Sequence, residues 1–228
     1  MLGLLEPYGL GSRVMLPRGV YAPQEDTLLL LEALDREAVG PATDVLDVGT
    51  GSGLLALAAA RRGARVCAVD RTRRAVLTTR LNAALADLRV HVTRGDLLAP
   101  ALGRRFDLIL SNPPYVPAPD SAVPRRGRAR AWDAGHDGRL VIDRLCDGAA
   151  GLLRPGGALL LVHSALCGVR ATEQRLARAG LRAEVTDRRS VPFGPVVSSR
   201  RQWLLDRGLI ASGDTKEELV IIRADRIR

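Results

Sequence analysis

Lysine is almost missing from this chain. Lys216 is the only one among 34 basic residues, so arginine carries the net charge of +9. That charge admits a nucleic-acid or an acidic-protein partner. Arginine and alanine abound along the whole length, however, as a coding bias would leave them, so the charge alone selects no partner. Aromatics make up only 3% of residues, which makes Tyr8, Tyr21, Tyr115, Trp132 and Trp203 worth individual attention. The three cysteines, Cys67, Cys146 and Cys167, form no CxxC pair and leave an odd thiol, the usage expected of buried thiols in a reducing cytoplasm. There is no long apolar run at the start. Met1 to Leu16 contains Glu6 and Pro7 and reads as neither a signal peptide nor a membrane span. His91, His136 and His163 are dispersed without ligand spacing, so no metal site is expected. Ser164 and Cys167 have no patterned base beside them, which argues against nucleophilic catalysis.

What is present suits a soluble α/β domain. The chain has 228 residues, 46% of them hydrophobic and 26% charged, with no internal repeat and no interdomain linker. Residues 1–20 are rich in glycine and read as a partly ordered arm ahead of a single domain over 21–228. Gln24 to Glu37 has leucines at helical spacing behind Pro23, with Glu25 and Asp26 in its first turn. From residue 44 a strand–helix alternation begins. Strands are expected at 44–48, 63–70, 89–93 and 106–111, and helices at 54–61 and 72–85. Such an alternation predicts a parallel sheet with helices on both faces, and a ligand beyond the strand carboxy-terminal ends at the switch point. Residues 113–131 hold several prolines and the run Arg125-Arg-Gly-Arg-Ala-Arg130. They read as a long irregular loop beside the site. Further on, the pattern predicts a helix over 140–153, a turn at Arg154-Pro-Gly-Gly157, a strand over 158–163 and a helix over 169–179. Strands at 182–186 and 218–223 flank a helix over 196–207.

Two strand ends carry the chemistry. Asp44-Val-Leu-Asp-Val-Gly-Thr-Gly-Ser-Gly53 is a strand leading into three alternate glycines. Such glycines let the backbone approach a ligand and aim N–H groups at it. The spacing is GxGxG, with Leu54 next, so it is neither the dinucleotide fingerprint nor a P-loop. Asp70 closes the following strand, where an acid holds ribose hydroxyls in nucleotide-binding α/β folds. Asp96, after the third strand, could accept from an adenine amino group. The second strand end is Asp107-Leu-Ile-Leu-Ser-Asn-Pro-Pro-Tyr115. Here the Asn112 side-chain oxygen and the Pro113 carbonyl can both accept from one –NH2 group, and Tyr115 can stack on a flat substrate. An amide or aniline-like nitrogen is a poor nucleophile because its lone pair is delocalised. Two acceptors favour a pyramidal nitrogen aimed at an electrophile. His136, Trp132 and Asp133 lie downstream, where they could contact or cover a substrate.

Asp47-Val-Gly-Thr-Gly-Ser-Gly53, Asp70, Asp96 and Asn112-Pro-Pro-Tyr115 together resemble a class I S-adenosylmethionine-dependent methyltransferase of the N6-adenine/glutamine-N5 type. Tyr21-Ala-Pro-Gln-Glu-Asp-Thr27 and Trp132-Asp-Ala-Gly-His-Asp-Gly-Arg-Leu-Val-Ile-Asp143 are similar to the HemK-type protein glutamine methyltransferases, in their short archaeal and eukaryotic branch. The resemblance spans about residues 20 to 165. It implies a Rossmann-like fold, a mostly parallel seven-stranded sheet with helices on both faces and an antiparallel last strand. It further implies that S-adenosylmethionine is bound and S-adenosylhomocysteine released. Gly49, Gly51 and Gly53 would line the methionine end, Asp47 would support its amino group, Asp70 would hold the ribose and Asp96 the adenine. Thr27, with Glu25 nearby, would cover the cofactor, and Asn112, Pro113 and Tyr115 would bind the reacting group beside it. The implied acceptor is a glutamine amide in a protein such as a translation release factor. Adenine N6 in DNA or RNA, or a small molecule, stays open, because Asn-Pro-Pro-Tyr serves these chemistries alike. The long bacterial members carry a helical domain ahead of the core, for which this chain has no room. Eukaryotic members work with a small zinc-binding activator covering an apolar edge, so a second subunit is a further expectation. A membrane partner is not expected.

Overall fold

Strands β1 (Asp44–Val48) and β4 (Phe106–Ser111) lie in the middle of the sheet and are buried on both faces. The computed structural model describes residues 14–124 and 127–227, and Arg125, Arg126 and most of the expected arm fall outside that range. The sheet has seven strands in the order β3-β2-β1-β4-β5-β7-β6. β2 (Arg65–Asp70) and β3 (Val90–Arg94) extend it on one side. β5 (Leu153–Ser164), β7 (Lys216–Arg226) and β6 (Leu181–Pro192) extend it on the other. Strands β1 to β5 are mutually parallel, while β7 runs antiparallel to both β5 and β6. The chain steps outward from β1 through β2 to β3, then returns to the far side of β1 with β4. A crevice therefore opens beyond the ends of β1 and β4.

Helix α1 (Glu25–Asp35) buries Leu29, Leu30, Leu31 and Leu34 against one face of the sheet, beside α2 (Leu54–Arg61). Helix α3 (Arg73–Leu85) is capped by the Thr72 hydroxyl, which accepts from the Ala75 amide at 3.1 Å. The second face is covered by α4 (Leu140–Ala149) and α5 (Val169–Arg178), which bury Ile142, Leu145 and Leu176. Two short helices, α6 (Pro195–Ser199) and α7 (Arg201–Asp206), close a small separate cluster around Val197, Leu204 and Ile210. No described helix is long and apolar enough to cross a membrane.

The structure corrects several expectations. The Arg154-Pro-Gly-Gly157 segment is not a turn outside the strand. It is a bulge within β5, where the pairing jumps from Phe106–Leu153 to Leu108–Ala158. The single helix expected over 196–207 is broken at Arg200 into α6 and α7. Both closing strands are about twice as long as expected, because their charged residues pair laterally instead of marking loops. Arg188 of β6 meets Glu218 of β7 at 2.5 Å, and Arg189 reaches across to Glu32 of α1 at 2.6 Å. Residues 14–20, assigned to the arm, are tied down. Val14 enters the core, and the Met15 amide and carbonyl both bond to the Asn82 side chain.

Candidate active site

The glycine loop is held from behind. Gly49, Gly51 and Gly53 have φ of +78°, +56° and +89°, a region that side chains with a Cβ rarely enter. The Gly49 and Thr50 amides both donate to the Val69 carbonyl, at 2.8 and 3.0 Å, which fastens the loop to β2. Under the loop lies Asp47, fully buried. Its Oδ2 accepts from the Thr50 hydroxyl at 2.6 Å and from the Ala56 amide at 3.1 Å. Burial pushes its carboxyl up to about 7, the hydrogen bonds pull the other way, and the charge of Asp70 adds to the rise. Asp70 braces the loop from the front. Its two oxygens accept from the Gly51 amide at 3.1 Å and the Thr72 amide at 2.8 Å.

In front of the loop is a cavity of about 160 Å3. Gly49, Gly51, Asp70, Asp96, Asn112 and Tyr115 are among its lining residues. A Cβ added at Gly49 would lie 3.8 Å from the Asn112 carbonyl, an ordinary contact, so it is the positive φ that calls for glycine there. Polar backbone at one end, Asp70 alongside and apolar Leu55, Val69 and Leu97 beyond fit a nucleoside with a charged tail.

The acceptor motif is clamped at several points. Ser111 donates to the Val48 carbonyl at 2.9 Å, joining the ends of β4 and β1. The Asn112 side-chain nitrogen donates to the Thr27 hydroxyl at 3.1 Å. The Tyr115 phenol donates to Asp26 Oδ2 at 2.9 Å, and the Tyr21 phenol to the same oxygen at 2.7 Å. Burial first, and then the negative charge of Asp26, pushes the Tyr115 phenol well above its ordinary value, so it stays a proton donor. The loop beyond is pinned by a parallel bridge between Val116 and Asp133 and by Arg200, which donates to the Pro117 carbonyl at 2.9 Å and pairs with Asp133 at 2.7 Å. Gly138 has φ +74°, and a Cβ there would lie 2.2 Å from the Tyr115 carbonyl.

Comparison with known proteins now bears on this geometry. Residues 13–123 match the methyltransferase small domain family. A Methanocaldococcus jannaschii chain named as a protein N5-glutamine methyltransferase is 34% identical over 184 residues, which cover 80% of this chain and 91% of that one. The chain belongs to the HemK-type protein glutamine methyltransferase family. A release factor glutamine methyltransferase of Moorella thermoacetica is 40% identical over 151 residues, covering 62% of this chain but only 53% of its own length. Among solved structures, the E. cuniculi Mtq2-Trm112 complex, titled as responsible for methylation of the eRF1 termination factor, aligns with a TM-score of 0.64 and 25% identity, over 91% of this chain and 99% of that chain. The fold is thus that of a class I S-adenosylmethionine-dependent methyltransferase, and the protein is an enzyme of that kind.

Within this methyltransferase the residues expected from sequence divide into groups. Gly49, Gly51, Asp70, Asp96, Thr27, Asn112, Pro113 and Tyr115 all line the one cavity. Asp47 and Gly53 do not. Asp47 sits behind the loop, and a Cβ on Gly53 would lie 2.7 Å from Thr79, so this glycine lets α2 approach α3. Asp96 pairs with Arg144 across the cavity mouth at 2.5 Å. Glu25 is turned outward toward Arg189, at 3.4 Å, and its neighbour Asp26 enters the site instead. Trp132 lines the cavity, whereas Asp133 is buried against Arg200. His136 points to the Ala118 carbonyl, at 3.2 Å. No group of side chains suited to a metal ion occurs among the described residues. Asp26 and Tyr21 were missed. Both stand in the Tyr21–Thr27 motif, but Asp26 reads there as an ordinary first-turn acid, and only its burial separates it from Glu25.

Proposed function

We propose that this enzyme methylates the side-chain amide nitrogen of a glutamine in a translation release factor. Relatives named for protein glutamine methylation support that acceptor over adenine, and the geometric support for an –NH2 acceptor is the hydrogen bond from Asn112 to Thr27. The Asn112 side-chain nitrogen donates to the Thr27 hydroxyl, which ties the nitrogen end of the amide to α1. We assign the Asn112 side-chain oxygen and the Pro113 carbonyl as the two acceptors for an incoming –NH2 group. S-adenosylmethionine supplies a methyl carbon on a positively charged sulfur. Asn112 and Pro113 would hold the amide nitrogen for attack on that methyl, and Tyr115 would pack against the flat amide. A nitrogen–carbon bond forms as the sulfur–carbon bond breaks. The proton then leaves the nitrogen, whose acidity rises steeply once it carries the methyl group, so no dedicated base need be assigned. Asp70 is assigned to the ribose hydroxyls, Asp96 to the adenine amino group, and Asp47 to holding the loop that receives the methionine end.

A second subunit is part of the proposal. The solved relative is a two-protein complex. On α3, Leu77, Leu81 and Leu85 stand one turn apart and are 63%, 47% and 43% exposed, beside the edge strand β3. This stripe is where a small activating partner would dock. The test of acceptor class is transfer of labelled methyl from S-adenosylmethionine to a host extract, with portions digested by nuclease or by protease. Label lost with protease and kept with nuclease supports the protein acceptor, and mass spectrometry then locates the glutamine. The reverse pattern would move the acceptor to adenine.

A further inference from the structure

We infer that Asp26 is the positioning residue that sets the polarity of the acceptor slot, an inference that rests on the glutamine reading above. Asp26 and Glu25 are adjacent first-turn acids, but Asp26 is only 3% exposed. A carboxylate that merely served the helix dipole would face water, as Glu25 does. Asp26 gives up hydration and is compensated by four donors. Oδ2 takes the phenols of Tyr21 and Tyr115, at 2.7 and 2.9 Å. Oδ1 takes the Thr27 amide at 2.6 Å and the Thr27 hydroxyl at 3.2 Å.

The direction of these bonds has a chemical consequence. An ionised carboxylate only accepts. The Thr27 hydroxyl must therefore give its single proton to Asp26, which leaves the hydroxyl oxygen as an acceptor toward Asn112. Asn112 then has to present its –NH2 group to Thr27, at 3.1 Å, and its oxygen to the other side. The relay Asp26–Thr27–Asn112 thus decides which end of a nearly symmetrical amide faces the substrate, and such linked bonds reinforce one another. Without Asp26 the Thr27 proton is free to point at Asn112. The Asn112 amide can then flip and offer N–H groups to a substrate that itself offers N–H groups. The same carboxylate holds the Tyr115 phenol, so both side chains of the acceptor motif are set from one atom pair on α1.

The chain contains only two asparagines, Asn82 and Asn112. Asn82 is locked elsewhere, with its nitrogen donating to Ser52 and Met15 carbonyls at 2.8 and 3.0 Å, and serves as an internal reference. The experiment compares wild type with Asp26→Ala, labelled on asparagine side-chain nitrogen, and measures kcat on the host release factor and the Kd for S-adenosylhomocysteine. The expected result is a fall in kcat of about 100-fold with Kd unchanged within about threefold, and a shifted or broadened Asn112 amide pair beside an unmoved Asn82 pair. Asp26→Asn, of the same shape, is expected to lose at least about tenfold in kcat and keeps the test available if the alanine variant does not fold. An Asn112 signal unmoved in Asp26→Ala, or kcat within about threefold of wild type in both variants, would overturn the inference. If the wild type itself leaves the release factor unmethylated, the acceptor reading fails, and the amide signals alone decide the role of Asp26.

Discussion

Asp47 and Asp70 brace one glycine loop from opposite sides, Asp47 from within the core and Asp70 from the cavity. Asp47 is sealed in, and its carboxyl rises from 3.8 to about 7, a change worth about 4 kcal/mol. A carboxyl raised on folding favours the folded state when protonated. Its contribution is complete below about pH 4 and is lost as pH climbs through about 7. The Tm of the wild type should therefore fall between pH 5 and pH 8 by more than that of Asp47→Asn, whose amide cannot ionise. Parallel profiles would mean that Asp47 is not the group responsible. Asp70 lines the cavity, so Asp70→Ala should weaken S-adenosylmethionine binding by at least about tenfold in calorimetry, consistent with the loss of charge-assisted hydrogen bonds to a ligand. Asn112→Ala should separate binding from transfer. Methylation is expected to drop by about 100-fold or more, as when one preorganised polar group of a reaction site is removed. Cofactor affinity should barely change, and equal loss of both would remove Asn112 from the role given to it.

At the scale of elements, the first half of the fold was legible and the second half less so. The limits of α2 and β4 were read correctly because glycines and the Asn-Pro-Pro sequence punctuate them. β6 was read far too short. Its burial alternates along an edge of the sheet, and the run Thr186 to Ser190 resembles a polar loop until β7 is laid beside it. The site was legible where backbone freedom or a motif demanded a residue type, as at Gly49 or Asn112. It was illegible at Asp26, whose role depends on burial against residues about 90 positions away. Gly138 shows the same limit from the other side, since nothing in its neighbourhood of sequence announces that it abuts the Tyr115 carbonyl. Gly138→Ala should lower Tm by about 5–10 °C, from a positive φ and a backbone clash together worth about 2–3 kcal/mol. A Tm within about 1 °C of wild type would show that the loop yields freely there.

Over the whole molecule, the leucine stripe of α3 is the feature that a free-standing enzyme would not be expected to keep. On the docking proposed above, replacing Leu77 and Leu81 by Lys should reduce self-association of the chain alone in sedimentation, leave cofactor affinity unchanged, and abolish capture of a small partner co-expressed from the same genome. Retained capture would place the partner elsewhere. The grip of α1 on the far strands has a consequence in time. Arg189 of β6 reaches Glu32, Arg223 of β7 reaches Glu37 at 2.9 Å, and Arg36 reaches Asp187 at 2.5 Å. The helix that supplies Asp26 and Thr27 precedes every strand of the sheet, and β6 and β7, which help to seat it, follow the other five. Such a closure joins segments separated by about 150 residues in sequence, and distant contacts of this kind form late. Until α1 has met β6 and β7 the acceptor motif lacks the bonds from Asp26 and Thr27, so transfer is expected only once that closure is made.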